Sequence, residues 1–212
     1  MSALSESEIL EFIRSKELIV EGLTPSHIQL GSIDLTLGNT VDVLSMPEDF
    51  VFDCSLDVKD FLHQHTKEVS IKDGYDLRPG EFVVGHSAEH IRMPKALNGI
   101  IVNRNSFARI GIDAGISQYI NPGFEGNKII VIKNNSPFTI KIKPGIRICS
   151  LILFRMGEES MREFSERHNT TKIVDFIKKQ GSDSSFDLKD KKDVDTSLSD
   201  YMDMRIKEIS EQ

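Results

Sequence analysis

The chain has no tryptophan and only two cysteines, Cys54 and Cys149, in 212 residues. Two thiols so far apart, both in strand-like contexts, read as ordinary reduced cysteines rather than a disulfide framework. The lack of any Cys-x-x-Cys pair excludes zinc held by paired thiolates. Basic charge is not in excess either: 26 Lys and Arg stand against 33 Asp and Glu, a net charge of -7. That argues against a nucleic-acid binder, whose phosphate contacts need a basic face, and leaves room for a small anion in a local basic pocket. No apolar run approaches the length of a membrane span, and "MSALSESEIL" has no basic segment followed by an apolar core. The expectation is therefore a soluble, cytoplasmic protein with no membrane partner. No internal repeat of fixed period is present.

What is there reads as strands. After an opening stretch in which Ser5 and Glu8 have capping-box spacing ahead of Ile9, Leu10, Phe12 and Ile13 at helical intervals, the pattern changes. Ile33, Leu35 and Leu37 alternate with Asp34 and Thr36, Gly38-Asn39 punctuates, and Val41 and Val43 alternate again, which predicts strand, turn, strand. "EFVVGHS", "GIIVN", "KIIVIKN", "FTIKIKPG" and "RICSLILF" continue as β-branched runs between Gly, Pro and Asn turns. Such spacing predicts an all-β sandwich, jelly roll or barrel. From about Gly157 the chain turns charged and Ser-rich. The expected organisation is a β domain over 1–157 with its N-terminal helix, an arm over 158–190, and an extension over 191–212. In the extension, Leu198, Met202, Ile206 and Ile209 behind Ser197 suggest an amphipathic helix, able to dock on its own core, a neighbouring subunit or a partner protein.

The segment "NRNSFARIGI" packs Arg104, Asn105, Ser106 and Arg109 into six positions just after an apolar strand. Forked guanidinium donors beside a hydroxyl match the oxygens of a phosphate. Other candidates carry less. Glu125 sits in a solvent-facing turn, Asp76 lies in a "GYDL" string, and His86 and His90 are four apart in a strand context, where they read as surface histidines rather than a metal pair.

The ordered set "GSIDLTLG", "LRPGEFV", "NRNSFARIGI", "INPGFEG", "KPGIRICSLIL" and "QGSDSSFDLKD" resembles the dCTP deaminase family, within the trimeric dUTPase-like superfamily, over roughly residues 4 to 190. The resemblance implies a distorted β-barrel of jelly-roll type, assembled as a homotrimer with nucleotide sites between subunits. It further implies a pyrimidine deoxynucleoside triphosphate carrying Mg2+, no protein-bound metal, and a C-terminal arm that folds over the nucleotide. Residue by residue, it places Arg104, Ser106 and Arg109 on the phosphates, with Asn105, Phe107 and Ala108 in the same stretch. Asn121 goes to the sugar, the backbone of Ile129, Ile130 and Val131 to the base edge, and Phe164 and Gln180 to the arm's contacts. Outside the arm, where Phe164 replaces a tyrosine and Lys179 a glutamine, three positions depart from the family. Asn105 replaces the serine that orients the attacking water, and Asn121 replaces an aspartate. Val131 falls where the catalytic glutamate belongs, and valine cannot move a proton. The implied activity, dCTP to dUTP plus ammonia, thus stands beside two alternatives: a catalytically silent nucleotide-binding regulator and a dUTPase-like diphosphohydrolase.

Overall fold

The computed structural model describes residues 2–47, 49–53, 58–116 and 119–157. Cys54, Phe164, Gln180, the arm and the expected terminal helix lie outside them. The first helix, α1 (Glu6–Arg14), begins where its capping box puts it. The Glu8 N–H donates to Ser5 Oγ, and the Ser5 N–H donates to the Glu8 carboxylate at 2.9 Å, a pairing that holds the Glu8 carboxyl below its ordinary range. Ile9 and Phe12 are the face it buries.

The rest is strand-rich. In chain order come β1 (Ile19–Glu21), a single 3-10 turn (Pro25–His27), β2 (Ile33–Leu44), α2 (Val58–His65), β3 (Thr66–Ser70), β4 (Tyr75–Leu77), β5 (Phe82–Arg92) and β6 (Leu97–Asn103). There follow a one-turn helix α3 (Asn105–Ala108), β7 (Ile112–Asp113), β8 (Tyr119–Ile120), β9 (Glu125–Asn134), β10 (Ile140–Ile142) and β11 (Arg147–Arg155). Nine strands form one antiparallel sheet in the order β7-β9-β5-β2-β11-β6-β8, with β1 also on β5 and β3 also on β2. β4 and β10 pair separately.

Two elements correct the sequence reading. The residues around Gly38-Asn39 are not a turn: β2 runs unbroken through them, and the irregularity is a register shift against β5 between Leu37 and Val41. Gly38 is there for space, because a Cβ at this position would overlap the imidazole of His86. The helix α2 had no counterpart in the sequence reading. Its Phe61 stacks on Phe50 at 5.5 Å between ring centroids and also meets Phe52 and His65, so aromatic contacts support a segment whose helical period is short.

The core follows strand alternation. Ile33, Leu35 and Leu37 of β2, Val83 of β5, Ile130 and Ile132 of β9, and Leu151 and Leu153 of β11 are all fully buried. Among the described residues, the ends of the sheet order are joined by side chains rather than by a ladder. Asn103 of β6 donates from Nδ2 to the Ile112 carbonyl of β7 at 2.7 Å and accepts from the Ala114 N–H. Lys128 of β9 reaches the Tyr119 carbonyl of β8 at 3.2 Å. The backbones come close enough that a Cβ on Gly115 would sit 2.9 Å from the Asn103 nitrogen. No described helix is long and apolar enough to cross a membrane.

Asn134, wholly buried at the end of β9, ties this frame to the small sheet. Its Nδ2 donates to the carbonyls of Leu77 and Phe138 at 2.9 and 2.8 Å, and its Oδ1 accepts from the Ser136 N–H at 2.9 Å. Asn134→Ala removes all three bonds inside the protein and is expected to cost about 3 kcal/mol in urea denaturation. A loss below about 1 kcal/mol would show that other groups take over the freed partners.

Candidate functional site

Strand β6 ends at Asn103, and the chain turns at once into α3, whose Phe107 and Ala108 N–H groups bond back to the Arg104 carbonyl at 3.0 Å. This turn sets Arg104, Asn105 and Ser106 on the wall of a cavity of about 430 Å3, with Gln29, Ser32, Asp34 and Ser150 on the facing elements. The other half of the sequence-nominated stretch is elsewhere. Phe107 packs against the hydrophobic core, while Ala108 and Arg109 are exposed and form no part of this wall.

Asp34 is the residue that sequence reasoning passed over. It alternates with fully buried leucine and isoleucine on β2, a pattern expected of a strand's solvent face, yet only 2 % of it is exposed. Its Oδ1 accepts from Ser150 Oγ at 2.7 Å, and its Oδ2 lies 3.3 Å from Arg104 Nη1 and 3.5 Å from Arg147 Nη1. Arg104 Nη1 also donates to the Arg147 carbonyl at 3.2 Å, and Arg147 Nη1 to the Ser26 carbonyl at 2.9 Å. One carboxylate therefore faces two guanidiniums, a local excess of one positive charge where the whole chain is acidic.

The same outward row of β2 carries two further groups. Thr36 donates its backbone N–H at 2.9 Å and its hydroxyl at 2.5 Å to Glu89, which is 1 % exposed. His27 Nδ1 stands 3.9 Å from that carboxylate and accepts the Thr24 N–H at 3.5 Å. Next along the row, the His86 ring rides over Gly38. His86 and His90 both lie half-buried in a strand, β5, rather than on a helix, and among the described residues no group of three or more His, Cys, Asp or Glu is placed to hold a metal.

Val131 is half-buried in β9, directly opposite Val84 of β5, and Ile129 is opposite His86. Directly paired residues share a face, so Val131, Val84, Ile129 and His86 lie on the outward side while Ile130 points into the core. Asn121 is exposed at the turn closed by the Phe124 N–H to Asn121 carbonyl bond. Neither Asn121 nor Val131 belongs to the wall of the Arg104 cavity. Glu125 is half-exposed at the start of β9, 4.0 Å from Arg92, and Asp76 is ion-paired with Lys141 on β10. Behind the site, burial, reinforced by the charges of Glu89 and Asp34, pushes the Cys149 thiol far above its ordinary range. Burial also pulls the Lys128 ammonium down. Cys149 is an inert core thiol.

The strand order, the side-chain closure of the sheet and the Arg104-lined cavity after β6 define an all-β protein with a polar site at the end of a strand. A family model described as "dCTP deaminase-like" matches residues 3–156, and the chain belongs to that family. Among relatives, it is 34% identical over 167 residues to "dCTP deaminase, dUMP-forming" of Persephonella marina, covering 78% of this chain and 90% of that one. It is 30% identical over 201 residues to the protein of the same description from Nanoarchaeum equitans, covering 88% and 98%. The crystal structure of 2'-deoxycytidine 5'-triphosphate deaminase from Agrobacterium tumefaciens superimposes with a TM-score of 0.56 at 21% identity, covering 71% of this chain and 46% of that one.

Proposed function

We propose that the protein binds a pyrimidine deoxynucleoside triphosphate, with dCTP the first candidate, and that Val131 holds its deamination far below what an acid–base residue at that position would permit. The observation that carries this reading is the cavity where Arg104, Asn105 and Ser106 meet, set against the aliphatic Val131–Val84 pair on the outward face of the sheet. Phosphate recognition has its forked donors; proton transfer at the base lacks its carboxylate. Arg104 and Ser106 take phosphate oxygens, with Arg109 reaching in from beyond the wall. Asn121 holds the sugar hydroxyl, and the β9 backbone at Ile129–Val131 meets the base edge.

Because Asn121 and Val131 stand apart from the Arg104 cavity within one chain, the proposal includes a second copy that completes each site, as in a homotrimer. Magnesium enters on the triphosphate: the one carboxylate on the cavity wall, Asp34, is already committed to two guanidiniums. The family reaction consumes water and dCTP and gives dUTP and ammonia. The relatives from Persephonella marina and Nanoarchaeum equitans are described as dUMP-forming, so diphosphate is the second product to look for.

The test is direct. Purified protein with magnesium is titrated with dCTP, dUTP and dTTP by calorimetry, and ammonia and diphosphate are then measured. Saturable binding with scant ammonia is the expected result. Rapid ammonia release would overturn the assignment of Val131 as a disabling residue. Diphosphate without ammonia would favour the diphosphohydrolase, and binding of no nucleotide would end the reading altogether.

A further inference from the structure

The geometry points to Asp34 as the positioning residue of the anion cavity: its buried carboxylate holds Arg104 in place for a polyphosphate. The inference rests on the proposed phosphate-binding reading and extends it to a residue that would not touch the ligand's phosphates by charge.

Coulomb's law taken alone predicts the opposite. A carboxylate on the wall of a polyphosphate cavity repels its guest, so neutralising it should tighten binding. The contacts argue otherwise. Arg104 spends only Nη1 on Asp34 and on the Arg147 carbonyl, at 3.3 and 3.2 Å. A guanidinium carries five N–H donors; the rest of Arg104's fork bonds to no described residue, while a quarter of its side chain remains accessible. The fork is thus anchored at one corner and open along its other edges, the arrangement that two-point recognition of a phosphate requires. Asp34 is itself fixed from the other side. Ser150 Oγ donates to Oδ1, and Arg147, which is braced on the Ser26 carbonyl, stands at Oδ2. Ser150 is paired with Asp34 in the β11–β2 ladder, so the anchor belongs to the rigid sheet and not to a loop.

Without the carboxylate, two guanidiniums would face each other across a few ångströms with no charge between them. Arg104 would swing away from Arg147, and a long side chain freed of its anchor has to be ordered again by each arriving ligand. Pre-organisation, not net charge, is what Asp34 supplies.

The test reads binding of dCTP, and separately of inorganic tripolyphosphate, to the full chain and to Asp34→Asn, Ser150→Ala, Arg104→Ala and the double variant Asp34→Asn/Arg104→Ala. Asp34→Asn is expected to weaken both ligands at least about tenfold, one lost charge-assisted contact. Ser150→Ala, which changes no charge, should weaken them about threefold, and it keeps the test alive should Asp34→Asn fail to fold. In the Arg104→Ala background, Asp34→Asn should have no further effect, a non-additivity that a merely structural role would not produce. Equal or tighter binding by Asp34→Asn overturns the inference, as does simple addition of the two single effects. If the native chain takes tripolyphosphate but no nucleotide, the nucleotide reading fails while the tripolyphosphate series still decides the role of Asp34. If it takes neither, both fall.

Discussion

Val131→Glu is expected to raise ammonia release from dCTP by ~10²–10⁴ over the native protein, the range that a positioned acid–base residue commands. Position 131 can take the change. It is half-buried on the outward face of β9, so the new carboxylate would not enter the core, and its direct neighbour across the strand is Val84 rather than another acid. Partial burial among Val84 and Ile129 should lift the carboxyl's pKa toward neutrality, which suits a group that must first take a proton from water and then pass one to the ring and the departing ammonia. The stability cost at such a site is about 1 kcal/mol, small enough to leave the fold intact. The measurement is ammonia release at saturating dCTP, with dCTP affinity determined on the same sample. A folded variant that binds dCTP and releases no more ammonia than the native chain would remove Val131 from the acid–base position. Adding Asn105→Ser should increase the gain further, since a serine there resembles the family's water-holding residue and Asn105 already stands on the cavity wall.

How much of this could be read beforehand varied with the physics behind each signal. The capping box at Ser5 and Glu8 and the alternating apolar residues of β2, β9 and β11 are local, and each produced the element it announced. In the stretch Arg104–Arg109 the guanidiniums beside a hydroxyl gave the phosphate expectation; Arg104, Asn105 and Ser106 share one cavity wall, while Phe107 packs on the core and Arg109 is exposed. Gly38-Asn39 misled because glycine marks turns more often than it marks a place where a neighbouring ring needs room; only the position of His86, 48 positions along the chain, explains it. Asp34 was invisible for a related reason. An acidic residue alternating with leucine or isoleucine looks like the wet face of a strand, and what buries it is tertiary: the turn at Pro25–His27 and the two arginines that cover β2.

Glu89 gives the largest stability effect to be expected outside the apolar core. The string "HSAEH" invites attention to its two histidines, whereas the residue that matters for folding is the glutamate between them, 1 % exposed and accepting both the backbone N–H and the hydroxyl of Thr36. It ties β5 to β2 just beyond the last paired position of their ladder, Leu37 with Ser87, and inside the stretch where the pairing of β5 with β9 lapses between His86 and His90. A side chain here does the work of missing backbone pairs. Glu89→Ala strips a buried N–H and a buried hydroxyl of their acceptor together and is expected to cost about 3 kcal/mol or more, a large share of the ~5–15 kcal/mol that holds a domain folded. Glu89→Gln keeps one carbonyl oxygen for Thr36 and should cost about 1 kcal/mol. The opposing possibility has its own physics, because an ionised carboxylate pays heavily for leaving water and its replacement can stabilise. Urea denaturation of the two variants separates these. A Glu89→Gln protein more stable than the native one would mean that the charge is a burden and Thr36 only its partial compensation. If Glu89→Ala loses less than about 1 kcal/mol, the strand interruption is held by something other than this side chain. Because Asp34 stands one alternation away from Thr36 on β2, a slackened β2–β5 bridge should also loosen the Arg104 anchor, so nucleotide affinity should fall in Glu89→Ala even at temperatures where the variant remains fully folded.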